Sequence, residues 1–204
     1  MTKKGDSKAR SAPQKALQLK ITLKHIQPPV WRRIVVADTY SLGDLHWVIQ
    51  KAMGWGNDHP HAFDVGGIEY VGAEVIEFCT GEDLLCDDDF LLSQLIKRRG
   101  QRFTYRYDFG DCWTHEILVE KSEVAAGDPP RTRCLDGARA CPPEDSGGVA
   151  GYGAFLAAKR DPSTPRQHLE RWGELEWVLA FDPERFELEF VNRRLNPQPS
   201  LLTS

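Results

Sequence analysis

Apolar and polar residues alternate at the start of the chain, which is the pattern of a half-buried strand. Every second residue from Leu17 to Leu23 is apolar. Pro28 and Pro29 then interrupt the alternation, because proline has no backbone N–H to donate to a sheet. Apolar residues resume over 30–36. We expect two strands here, paired with each other.

The apolar spacing then changes to that of a helix. Between Leu42 and Met53, apolar residues recur every three or four positions, as one face of a helix requires. Ser41 is a suitable N-cap, Asp44 lies in the first turn, and Gly54 is suited to the position after the last turn. The sequence therefore predicts a helix bounded by Ser41 and Gly54.

Hairpins and short elements are predicted for the rest of the chain. Gly66 and Gly67 separate two strand-like segments at 61–65 and 68–71, which indicates a hairpin. In the last predicted helix, Asp182 is the cap, Pro183 takes the first position, and Phe186, Phe190 and Val191 face inward. Further strands are predicted at 75–79, 103–109, 113–120 and 131–135, and helical turns at 93–99, 152–160 and 167–172.

Strands come early in this order, helices come late, and hairpins dominate. We therefore expect an α+β fold: a single domain with a mostly antiparallel or mixed sheet and helices packed on one face. The predicted boundaries are a disordered basic tail at 1–16, the domain at 17–195 and a frayed tail at 196–204.

Composition excludes some classes of function. The chain has 204 residues, 41% of them hydrophobic, and a formal net charge of −4, so no overall field attracts nucleic acid. No apolar run approaches the ~20 residues that span a bilayer, and the first residues lack the apolar segment of a secretory signal. The five cysteines are an odd number. Reduced thiols and a cytoplasmic location without a membrane partner are expected.

The segment 103–119 predicts an aromatic hairpin. A three-residue loop at 110–112 would set Tyr107 opposite His115 and Arg106 opposite Glu116, a favourable cross-strand ion pair. A two-residue loop would instead set Arg106 beside His115. Because a slip of one residue exchanges the two faces, packing favours the three-residue loop.

This hairpin carries five candidate ligand or pocket residues. His115 lies on the aromatic face with Tyr107 and Trp113, where it is either a hydrogen-bonded core histidine or a ligand or general base. Asp108 and Asp111 lie at the turn, where aspartate is common for conformational reasons. Acids beside a histidine could also hold a divalent metal ion, the one cofactor that these residues suggest.

The segment 136–150 is rich in acids, glycine and proline, and we call it the acidic loop. It contains two more candidate metal ligands. Glu144 and Asp145 come after a Pro-Pro pair that stiffens the chain. The glycines at 147, 148 and 151 then lead into a predicted helix, and no Gly-Lys-Ser/Thr follows to make a Walker A motif. The glycines either serve a turn or present backbone N–H groups to a ligand.

Two cysteines precede Glu144 and Asp145. Cys134 and Cys141 are separated by six residues, which is wider than the spacing of a zinc knuckle. Two buried thiols are therefore expected, with zinc bound together with His115 or His168 as the alternative.

Several motifs together resemble the plasmid pRiA4b ORF-3-like family over about 17–195. They are Pro29-Val-Trp-Arg-Arg33, Tyr107-Asp-Phe-Gly-Asp111 with Trp113 and His115, Cys134-Leu-Asp-Gly137, Ala140-Cys-Pro-Pro-Glu-Asp145 with Gly147, Gly148, Gly151 and Tyr152, and Phe181-Asp-Pro-Glu-Arg-Phe186. The resemblance implies an α+β domain of plasmids and mobile elements, sometimes labelled TnpR-like, without an established activity. The family pattern often has cysteine where this chain has Ser146, which implies an incomplete three-cysteine metal site.

Three functions follow, and the first is favoured: a non-enzymatic binding or accessory module of mobile elements. The second is a metal-assisted hydrolase or nuclease, which requires the hairpin and the acidic loop to meet in space. The third is DNA binding, which the net charge does not support. The residues proposed for the second are Asp108, Asp111, Glu144 and Asp145 as ligands and His115 as base; those for the third are Arg32, Arg33, Lys97, Arg98, Arg99 and the N-terminal tail.

Overall fold

The computed structural model describes residues 14–78, 84–124 and 130–197. Most of the predicted N-terminal tail, the end of the predicted strand at 75–79 and the last residues of the predicted C-terminal tail lie outside these ranges. The predicted α+β fold with a mixed sheet is confirmed, and the domain's first strand begins at Lys15, two residues before the predicted boundary.

Within these ranges, eight strands form one sheet in the order β5-β4-β3-β6-β7-β1-β2-β8. Neighbours pair antiparallel, except β4 and β5, which are parallel. The strands are β1 (Lys15–Leu23), β2 (Trp31–Ala37), β3 (His61–Val65), β4 (Ile68–Val71), β5 (Leu85–Cys86), β6 (Arg102–Tyr107), β7 (Trp113–Val124) and β8 (Arg133–Ala138).

Seven α-helices are present in the described residues, and apolar side chains of all of them except α2 join the core with one face of the sheet. The predicted helix after Ser41 is confirmed: Ser41 and Asp44 form a reciprocal capping box and Gly54 ends the helix in a left-handed conformation. The helices are α1 (Leu42–Met53), α2 (Ala73–Phe78), α3 (Leu92–Leu95), α4 (Gly148–Arg160), α5 (Arg166–Leu169), α6 (Leu175–Ala180) and α7 (Leu188–Leu195), with 3-10 turns at Asp87–Asp89 and Glu170–Trp172.

The predicted register of the aromatic hairpin is wrong by two residues. Tyr107 pairs with Trp113, Tyr105 pairs with His115, and Arg106 faces Thr114 rather than Glu116. The register differs because the turn has five residues, 108–112, instead of three. The Asp108 carboxylate stabilises this longer turn by accepting backbone N–H groups within it. A shift of two leaves each side chain on its predicted face, so the aromatic face survives the error.

Two other predictions are corrected. Residues 73–78 form α2 instead of the predicted strand at 75–79. The last helix begins at Leu188, because the Asp182 carboxylate accepts the N–H of Glu184 and closes a separate turn. As a result Phe190 does not face inward but is 49% exposed. The sequence pattern also missed α6.

Candidate functional site

Three loops meet at one end of β6 and β7. The indole of Trp55, after α1, donates to the carbonyl of Pro142 at 3.0 Å. The Asp111 carboxylate in the hairpin turn accepts the N–H of Gly147 at 3.0 Å. Gly148 approaches so closely that a Cβ there would lie 2.5 Å from the Asp111 carbonyl oxygen. The hairpin and the acidic loop, whose meeting the hydrolase hypothesis requires, are therefore in direct contact.

One histidine and two carboxylates converge where the loops meet. His59 Nε2 lies 3.1 Å from an oxygen of Asp145 and 3.8 Å from an oxygen of Asp108. One ligand atom from each of the three residues lies within 4.8 Å of the others. We call these three residues the His59 cluster. Its members come from chain positions some forty to fifty residues apart, so only the fold brings them together.

Asp108 is held rigidly within this cluster. Its side chain is buried, and one carboxylate oxygen accepts the N–H groups of Gly110 and Asp111 at 2.9 and 3.2 Å. The other oxygen faces His59. Asp108 and Asp145 both have positive φ, 57° and 53°, a conformation that aspartate adopts more readily than most residues. The turn thus fixes one oxygen and leaves the second for a ligand.

Glu144 borders the cluster but is tied to other partners. One of its oxygens accepts the N–H of Gly56 at 2.9 Å and the hydroxyl proton of Tyr107 at 3.1 Å. The other oxygen is buried and has no hydrogen-bond partner in the described residues. Burial raises the pKa of the Glu144 carboxyl, and burial together with Glu144 raises the pKa of Tyr107.

The His59 cluster has the donor set of a transition-metal site. Bonds of ~2.1 Å place neighbouring ligand atoms about 3 Å apart at right angles on one ion, close to the separations found here. Imidazole suits Zn²⁺ and Fe²⁺, and carboxylates suit Mn²⁺ and Mg²⁺, so the combination fits Mn²⁺, Fe²⁺ or Zn²⁺. Without an ion, the same contacts suit an ion pair between a protonated His59 and the two aspartates.

The other predicted site residues lie elsewhere. The Asp111 carboxylate accepts the N–H of Gly147, the residue before α4. His115 is fully buried, and its Nδ1 donates to the Trp113 carbonyl at 3.1 Å. Trp113 and Tyr107 are also fully buried, and both rings lie near the ring of Trp55, at centroid distances of 6.1 and 4.9 Å. The structure brings none of these side chains into the His59 cluster.

A second polar network was not anticipated from the sequence. His61 Nε2 contacts the buried carboxylate of Asp87 at 2.7 Å, and the His61 ring stacks on His46 with centroids 3.5 Å apart. His46 also bonds the Tyr105 hydroxyl at 2.8 Å and Asn57 at 2.6 Å. Burial lowers the pKa of His46 to about 3, so His46 is neutral. The sequence feature that could have indicated both the His59 cluster and this network is the segment 57–61, in which histidines stand on either side of Pro60.

Cys134 and Cys141 do not form a metal centre with a histidine. Among the described residues, neither cysteine belongs to a group of ligand atoms near enough to share an ion. Burial raises the pKa of both thiols, to about 12 for Cys141. Ser146 is buried, and its hydroxyl has no partner within the described ranges. The zinc alternative at these cysteines is therefore wrong.

Part of the predicted basic surface is absent as well. Arg32 is 3% exposed and donates to backbone carbonyls. Arg33 forms ion pairs with Glu120 and Asp136 at 2.6 and 3.2 Å. Arg32 is buried and Arg33 is paired, so neither offers an exposed, unpaired guanidinium to a phosphate backbone.

Comparison with known proteins places the chain in a family. The model of the plasmid pRiA4b ORF-3-like protein family matches residues 15–190. The chain belongs to this family. It is 39% identical to the uncharacterized protein y4hQ of Sinorhizobium fredii over 166 residues. The aligned region covers 81% of this chain and 82% of that protein.

The fold is also found in a solved structure. A protein of unknown function, MM3350 from Methanosarcina mazei Go1, superposes with a TM-score of 0.73 at 30% identity, covering 87% of this chain and 98% of that one. Across the ranges the structure describes, every helix is too short or too polar to cross a bilayer.

Proposed function

We propose that this protein is a non-enzymatic binding module that holds a divalent cation in the His59 cluster. The observation that carries the proposal is the convergence of His59, Asp108 and Asp145, with one ligand atom from each within 4.8 Å of the others. The Asp108 carboxylate is buried, and a cation held between it and Asp145 would neutralise its charge. We further propose that it acts in the cytoplasm as an accessory protein of mobile elements, with TnpR-like functions; the plasmid family to which the chain belongs supports the plasmid association.

The surrounding structure supports a preformed site. The Asp108 carboxylate stiffens the hairpin turn by accepting two of its backbone N–H groups. The hydrogen bond between Gly147 and Asp111 and the one between Trp55 and Pro142 each join two of the three loops. The ligands are therefore oriented before an ion arrives, which reduces the entropic cost of binding. We expect Mn²⁺ and Zn²⁺ to bind more tightly than Mg²⁺, because Mg²⁺ prefers oxygen ligands alone.

Calorimetric titration with MnCl₂ and ZnCl₂ tests this function. We expect one ion per chain for the wild type, and at least tenfold weaker binding for Asp108→Asn and Asp145→Asn. Asparagine tolerates positive φ and can still accept hydrogen bonds in the turn, so these variants remove charge while keeping the backbone. Asp111→Asn is the matched control from the same turn and should bind like the wild type. Absence of binding by the wild type rejects the proposal.

A metal-assisted hydrolase is the second candidate, favoured by Glu144. Its raised pKa and unpartnered buried oxygen suit a general base beside a metal-activated water. Mn²⁺-dependent hydrolysis of bis(4-nitrophenyl) phosphate tests it. If Glu144→Gln abolished turnover while ion binding persisted, the enzyme would replace the binding module. DNA binding is less supported, and no gel shift at low salt would reject it.

A further inference from the structure

A cavity of 450 Å³ is separate from the His59 cluster in its lining residues. It is bounded by the last turn of α1, residues 140–141, α6 and α7. None of its lining residues belongs to the His59 cluster or to the segments 56–60 and 108–112, whereas Ala140 and Cys141 come from the same loop as Asp145. This volume is within the usual range for small-molecule sites.

One wall of the cavity is aromatic and open to solvent. Trp177 is 42% exposed and Phe190 is 49% exposed. Phe181 and Phe186 continue the wall and are partly buried against the core. Four aromatic side chains lining one cleft offer flat apolar surface to a ring-shaped ligand.

The floor of the cavity contains a buried arginine without a counter-ion. The Arg32 guanidinium donates to the carbonyls of Ala52, Trp31, Ala138 and Arg139 at 2.8–3.0 Å. In the described residues it has no carboxylate partner, and burial lowers its pKa. Carbonyl oxygens satisfy hydrogen bonds, but they do not neutralise the charge.

The neighbouring buried arginine shows the contrast. Arg139 is 4% exposed and forms a two-pronged pair with Glu184, with distances of 2.7 and 3.1 Å. Within the described residues, therefore, one buried guanidinium has a carboxylate partner and the one that lines the cavity has none. Such a cation suits a carboxylate brought by a ligand.

Two further cations line the rim. Arg194 donates to the Trp55 carbonyl at 3.2 Å and has no carboxylate partner in the parts of the chain that the structure describes, and Lys51 lies in the last turn of α1. Glu187 is the one carboxylate among the lining residues, and it already pairs with Arg185 at 2.5 Å. A positive cleft in a chain of formal net charge −4 is a local feature that favours an anion.

We propose that this cavity binds a small aromatic carboxylate. The carboxylate lies towards Arg32, Arg194 and Lys51, and the ring packs on Trp177 and Phe190. The guanidinium of Arg32 and the ring of Phe186, 4.8 Å apart, already form a cationic and apolar junction of this kind within the cavity.

The test compares 2-naphthoate with neutral 2-naphthamide, titrated into the full chain in the presence of EDTA and followed by ¹H–¹⁵N NMR. For a ligand of this size we expect a Kd of about 1 mM or tighter for naphthoate. Naphthamide should bind at least fivefold more weakly, and the shifted amides should include those of α6 and α7. EDTA separates this result from the divalent-cation proposal.

Two variants and a control locate the charge preference. Arg194→Met and Lys51→Met should each remove most of the preference for naphthoate over naphthamide. Lys121→Met, an exposed lysine on β7, should leave it unchanged. Equal binding of the two probes, no binding by either, or a preference that survives both cavity variants would overturn the proposal; thermal melts confirm that each variant is folded.

Discussion

The buried His115 predicts a pH dependence of stability that a single substitution can isolate. Its ring is fully buried between the Tyr105 and Trp55 rings, each with its centroid 5.4 Å away. Nδ1 donates to the Trp113 carbonyl, and Nε2 has no partner in the described residues. Burial lowers the pKa of His115 from 6.5 to about 4. The perturbation is His115→Phe, which keeps an aromatic ring and removes the titrating group.

The sign and size follow from the two protonation states. The unfolded chain takes up a proton at this position below about pH 6.5, whereas the folded chain does so only near pH 4. Stability from neutral His115 is therefore complete above pH 6.5 and is lost as pH falls through the interval towards 4. At pH 5 the loss is about 2 kcal/mol. The phenylalanine variant loses one hydrogen bond, about 1 kcal/mol, at every pH.

Urea unfolding at pH 7.5 and pH 5, followed by tryptophan fluorescence, measures the difference. We expect the variant to be about 1 kcal/mol less stable than the wild type at pH 7.5 and about 1 kcal/mol more stable at pH 5. His168→Phe, at an exposed histidine, is the control and should show no such reversal. The reasoning would fail if the difference in unfolding free energy between wild type and variant were the same at both pH values. That result would mean that the folded chain takes up a proton at His115 as readily as the unfolded chain at pH 5.

Three stability predictions concern the loops and the first helix. Gly148→Ala should cost about 3 kcal/mol, because the new Cβ meets a backbone carbonyl, whereas Gly66→Ala, with a similar positive φ in open space, should cost about 1 kcal/mol; equal costs in urea unfolding would contradict the close approach. Ser41→Ala should cost about 1 kcal/mol through loss of the helix cap, measured in the same way. Asp87→Ala should cost about 2 kcal/mol, because it leaves the buried Nε2 of His61 without its hydrogen-bond partner; a cost below about 0.5 kcal/mol would refute this.

Much of the fold could be predicted because its signals are local. The capping box at Ser41 and the left-handed Gly54 define α1 from neighbouring residues alone. The alternation in β1 likewise reports which face is buried. The hairpin register was missed because it depends on the Asp108 carboxylate capping two backbone N–H groups, which lengthens the turn to five residues.

The candidate site was predicted only in part, because its geometry is not local. Asp108 and Asp145 were chosen from their motifs, and the structure brings them together. His59 was missed, since nothing along the chain shows that the loop after α1 approaches the hairpin turn. His115 was favoured for its aromatic setting, but that setting is the core, where the sheet register places it against Tyr105.

The central claim is that the His59 cluster holds a divalent cation, and a crystal grown with MnCl₂ tests it most directly. We expect an anomalous peak within ~2.0–2.6 Å of His59 Nε2 and of one oxygen each from Asp108 and Asp145, as metal–ligand bonds require. The peak should be missing in Asp108→Asn and present in Asp111→Asn. Wild-type crystals without such a peak, in which His59 keeps only its contacts with the two aspartates, would contradict the account.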